Sequence, residues 1–67
     1  MKDLSDNQNK FVKVAEEAGF EVIEYSGRHM FGRTCPAITV NNVGDFASPV
    51  PYSWDELGKG FVIYIME

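Results

Sequence analysis

The chain has 67 residues, 45% of them apolar and 24% charged, with five Phe, three Tyr and one Trp; this excludes a disordered tract and leaves room for one thin core, hence a single domain over residues 1–67. Cys35 and His29 are the only residues of their kinds, which excludes an internal disulfide and leaves too few ligands for a His/Cys zinc site, so neither metal nor cofactor is expected. The net charge of −4 is uneven: acids outnumber bases in residues 1–24 and 41–67, whereas residues 25–40 hold Arg28 and Arg33 and no acid.

No apolar run approaches the roughly 18 residues of a membrane span, and the N-terminal residues lack the apolar stretch of a signal peptide. A cytoplasmic protein with no membrane partner is therefore expected.

Ser5 and Gln8 have the spacing of a capping box, in which hydroxyl and amide satisfy the first free N–H groups of a helix. Leu4, Phe11, Val14, Ala15 and Ala18 recur on one face of the helix that follows. Gly19 sits where a left-handed cap belongs, and Phe20 sits where its apolar contact returns onto Ala15. Residues 20–25, rich in β-branched and aromatic side chains, read as a first strand. Ala37–Val40 reads as a second, beginning after Pro36, which has no N–H to offer a ladder. Residues 41–52 contain turn chemistry and two prolines and read as a connection. Ser53 and Glu56 repeat the capping-box spacing, but Gly58 leaves space for only one or two helical turns. The chain closes on the apolar run Phe61–Met66, as expected of a strand placed centrally in a sheet. The fold class that follows is α+β: an N-terminal helix packed on a small, mainly antiparallel sheet of three or four strands.

One helix shields one face of such a sheet. The other is covered either by Phe46, Val50, Pro51, Tyr52, Trp54 and Leu57 folding over it, or by a partner gripping an exposed apolar patch. Tyr52, Trp54 and Tyr64 are the aromatic candidates for such a contact, since aromatic side chains dominate interface hot spots.

Gly27 to Thr34 has the glycine spacing of a phosphate-binding loop, but Arg33 replaces the lysine and a strand follows where a long helix is required. Nucleotide hydrolysis is excluded on those grounds. Arg28, His29, Phe31 and Arg33 form instead a basic and aromatic segment suited to phosphate or an acidic surface, with Tyr25 beside it. The plainer alternative is a solvated hairpin whose arginines pair with nearby acids. Cys35 could serve as a nucleophile only if His29 approached and lowered its pKa; a buried, inert thiol is the simpler expectation. Glu16 with Glu17, and Asp55 with Glu56, are adjacent in sequence and point apart on a helix, so neither makes a carboxylate dyad. No catalytic residue is assigned.

The short chain, its acidity, its lack of a catalytic constellation and its helix-then-strands order resemble the small acidic proteins that phages encode against bacterial defences, anti-CRISPR proteins among them. The resemblance is one of class and rests on no motif. It implies a non-enzymatic inhibitor or adaptor, monomeric or homodimeric, whose protein target belongs to a nucleic-acid-handling complex. In that reading Asp6, Glu16, Glu17, Glu21 and Glu24 enter a basic groove, steered by charge, and the aromatics supply affinity. The second reading is a small accessory protein that binds nucleic acid directly through residues 25–33.

Overall fold

The computed structural model describes residues 3–27 and 30–67. Helix α1 spans Asp6–Glu17 and starts as its capping box requires: Gln8 N–H donates to Ser5 Oγ at 3.1 Å and Ser5 N–H donates to Gln8 Oε1 at 2.9 Å. It ends in a Schellman motif. Phe20 N–H reaches Ala15 O at 2.9 Å, Gly19 N–H reaches Glu16 O at 3.0 Å, and Gly19 takes φ +91°.

Four strands follow, β1 (Ile23–Tyr25), β2 (Cys35–Val40), β3 (Ser53–Leu57) and β4 (Gly60–Tyr64), with a 3-10 turn at Val43–Asp45 between β2 and β3. They form one antiparallel sheet in the order β1-β2-β4-β3, so the apolar run at the chain's end is central, as expected. The α+β arrangement of one N-terminal helix on this sheet matches the sequence reading.

β1 is shorter than residues 20–25 because Phe20 is taken by the helix cap and its ring meets Phe46 edge-on at 5.3 Å. β2 is longer than expected and includes Pro36, fully buried in a central strand. Antiparallel partners of the hydrogen-bonded type exchange two bonds. Ile65 N–H donates to Pro36 O at 3.3 Å, but proline cannot donate in return. Gln8 supplies the missing donor: its Nε2 reaches Ile65 O at 3.0 Å in a buried position. One side chain thus caps the helix and completes the ladder that the proline interrupts.

The second capping-box pattern is not a helix. Ser53–Leu57 is strand β3, because Gly58, at φ +46°, opens a two-residue turn that pairs Leu57 with Gly60 and lays β3 along β4. Gly60 is required where it stands, since a Cβ there would lie 2.6 Å from the Val40 carbonyl oxygen.

The cover of the second face also differs from the expectation. Phe46, Val50 and Tyr52 pack on the same side as the helix, in a core built from Phe11, Ala15, Ile38, Val40, Ile63 and Ile65. Trp54 shares that side by strand parity, and its ring meets Phe61 at 5.4 Å. The opposite face has its own cluster, Cys35, Ala37, Val62 and Tyr64, covered by Met30 and flanked by Ile23 and Tyr25. Met30, from the connection between β1 and β2, covers it, not the segment that precedes β3.

Gln8→Ala should cost about 1–3 kcal/mol by leaving the buried Ile65 carbonyl without its donor. Pro36→Ala restores a backbone donor at that place, so in its background the Gln8→Ala cost should fall by about 1 kcal/mol. Urea denaturation of the double-mutant cycle measures this, and strict additivity would contradict the assignment.

Candidate functional site

Met30, which covers the second face, is held by sulfur contacts. Met30, 5% exposed, receives the Gly27 N–H on Sδ at 3.3 Å and returns its own N–H to Gly27 O at 3.0 Å. Cys35 Sγ lies 3.8 Å from Met30 Sδ and 3.6 Å from Tyr25 O, so its one proton is within reach of both. Beside them the Tyr25 and Tyr64 rings lie tilted at 37° to each other with centroids 5.0 Å apart, and both phenols donate to Asp55 Oδ2, at 2.5 and 3.4 Å. Gly27 passes close under this cluster: a Cβ there would lie 2.8 Å from the Tyr25 ring and 3.0 Å from Asp55 Oδ2.

Drawing Met30 inward fixes what comes next. Met30 O accepts Arg33 N–H at 3.0 Å, closing a tight turn whose central residues, Phe31 at φ +49° and Gly32 at φ +83°, are both left-handed. Two positive φ values define a type I′ turn, whose first central position favours Asn, Asp or Gly. A left-handed residue with a Cβ costs roughly 1–2 kcal/mol, and Phe lacks the short polar group that offsets this in Asn. The Phe31 side chain is also 93% exposed, so no burial within the domain compensates.

Phe31, Arg33, Thr34, Met66 and Glu67 surround an open recess of about 230 Å³ with Met30 and Cys35 at its base. Met66 is half-exposed, so the recess has two apolar walls and a rim with one cation and one anion. Cys35, at its base, is not set up as a nucleophile. Burial pushes the Cys35 thiol up to about 11, the opposite of the lowered pKa a nucleophile needs. Tyr64 is raised too, first by burial and then by the Asp55 carboxylate beside it.

The sequence candidates fall in separate places. Arg28 and His29 lie outside the described residues; Phe31 and Arg33 are exposed at the turn. Tyr52 is half-buried against the helix-side core, Trp54 is about half-exposed at the β3 edge, and Tyr64 is buried on the opposite face, so the three form no common patch. Asp6, Glu16, Glu17, Glu21 and Glu24 are all exposed, but they are spread out. Asp6 and Glu17 are about 16 Å apart along the helix axis, and Lys10 and Lys13 lie between them on the same stripe. Glu24 is on β1, where its side chain points to the helix side of the sheet. No group of three His, Cys, Asp or Glu among the described residues is placed to hold a metal ion, and no described helix is long and apolar enough to cross a membrane.

Sequence reasoning placed Phe31 among anion-contacting residues and missed its backbone. The only signal was the Phe31-Gly32 pair itself, standing where such a turn prefers Asn-Gly. Comparison with protein-family models, with curated proteins and with solved structures finds no match.

The thiol gives a pH prediction. Its folded pKa, about 11, lies above its ordinary value of 9.0, so its contribution to stability is whole below pH 9 and is lost as pH rises through 11. Denaturation midpoints measured from pH 7 to 11 should fall over the upper part of that range. Cys35→Ala should reduce the fall, leaving the part due to Tyr64; an unchanged profile would contradict burial of the thiol.

Proposed function

We propose that this domain acts by binding a protein partner, as a non-catalytic inhibitor or adaptor, and that Phe31 is the anchor of the contact. The observation that carries the reading is the conjunction at Phe31 of a left-handed backbone with a fully presented aromatic ring. Local strain held in place by surrounding packing concentrates at functional positions, and exposed aromatics are the side chains that most often dominate interfaces. Met66 lies beside the ring with Arg33 and Glu67 on the rim, giving an apolar contact edged by one cation and one anion.

The resemblance to phage-encoded inhibitors makes a cytoplasmic complex that handles nucleic acid the partner to test first. The exposed carboxylates of Glu16, Glu17 and Glu21, near the C-terminal end of the helix, would add electrostatic steering toward a basic surface. Direct contact with nucleic acid, with Phe31 stacked on a base and Arg33 on a phosphate, is the second reading favoured by the same exposed pair.

Tagged protein used to capture partners from bacterial lysate, with and without nuclease, separates the two. Nuclease-resistant capture that Phe31→Ala removes supports the protein-binding reading; capture lost on nuclease treatment transfers the site to nucleic acid. Phe31→Asn gives a sharper result. It should raise stability by about 0.5–1 kcal/mol, since Asn tolerates the left-handed turn, and still lose the partner. A neutral or destabilising effect in urea denaturation would remove the strain argument.

A further inference from the structure

The sheet has two edges of different character. β1 is a three-residue edge, whereas β3 offers five residues paired on one side only. The two-residue turn after Leu57 fixes which groups are free. Leu57, Asp55 and Ser53 exchange bonds with β4, so the N–H and C=O groups of Trp54 and Glu56 point outward from the edge. An edge of this kind is a template for another strand unless its sequence blocks it. Within Ser53–Leu57 there is no proline, lysine or bulge; the only charges are those of Asp55 and Glu56.

Those charges decide the occupant. In a pairing of two copies through β3, registers centred on Asp55 or Glu56 set like charges opposite one another, which destabilises a sheet. A cationic strand meets the same edge favourably. Trp54 and Glu56 also project their side chains from one face of β3, the helix side, where Trp54 is half-exposed against Phe61 and Glu56 is exposed.

We propose that the free edge of β3 accepts an extended, cationic segment of a partner protein as an added antiparallel strand. The segment carries Lys or Arg opposite Glu56 and, two residues later, a β-branched or aromatic residue opposite Trp54. Outward backbone groups supply the pairing, Glu56 supplies charge selection and Trp54 the apolar contact. The surface is separate from Phe31 and does not depend on it.

The test uses the full chain and a short threonine-rich peptide with lysine and, two residues on, valine. At saturating peptide, amide hydrogen exchange of Trp54 and Glu56 followed by NMR should slow at least tenfold, and a peptide with glutamate in place of lysine should leave it unchanged. Glu56→Pro removes an outward N–H that pairs with nothing among the described residues, so the sheet tolerates it and the peptide effect should vanish. Glu56→Gln keeps the N–H and should weaken binding about threefold while the slowed exchange at saturation persists. Exchange at Trp54 and Glu56 that does not respond to the lysine peptide would overturn the proposal. Equal slowing by the glutamate peptide, or slowing with protein concentration alone, which marks a second copy, would overturn it as well.

Discussion

Coverage of the sheet is the constraint on which the other features depend. β2 and β4 are central strands that turn apolar residues to both sides, and one helix covers one of them. On the other side Ala37 and Val62 pack with Met30, Cys35 and Tyr64, flanked by Ile23 and Tyr25, and the hydroxyls of the two neighbouring tyrosines share Asp55. An unbranched thioether suits the Met30 position, filling an irregular gap while its sulfur accepts the Gly27 N–H. The chain then has to leave a buried residue and return to β2 by Cys35. A left-handed turn does this in the residues available, and it turns Phe31 outward.

The helix side of the sheet is joined, at the same end, by a different device. Pro36 removes one donor from the centre of the ladder, and Gln8, already engaged in the helix cap, provides it from outside. Helix start, central strand and chain end therefore meet at one amide group. This joint fixes the helix over β2, and Phe46 fills the space at its far end, edge-on to both Phe11 and Phe20 at 5.6 and 5.3 Å.

Local signals were legible in the sequence and long-range ones were not. The cap at Ser5, the stop at Gly19 and the central place of the last strand depend on nearby residues or on a continuous apolar run, and each was read correctly. The pattern at Ser53 and Glu56 has the same letters as a capping box, and only the pairing of β3 with β4 across Gly58 separates strand from helix. Strand parity places Tyr64 and Trp54 on opposite faces once the register is known, so their grouping as one aromatic patch could not be checked beforehand. The acidic residues of the helix looked like a surface by composition, but helical geometry interleaves Lys10 and Lys13 with Asp6 and Glu17. Phe31 escaped notice as a strained position because phenylalanine is not a turn residue by composition.

These features give the domain its functional character as we propose it: internal packing is used to hold an aromatic side chain in water, in a backbone conformation it does not prefer. The claim is that burial of Met30 imposes the strain at Phe31. A double-mutant cycle between Met30→Ala and Phe31→Asn, followed by urea denaturation, tests this directly. The account predicts coupling of about 0.5 kcal/mol or more, because the turn relaxes when Met30 no longer holds it and the gain from Asn then disappears. Effects that add within about 0.3 kcal/mol would show that Met30 and Phe31 are independent, and would contradict it.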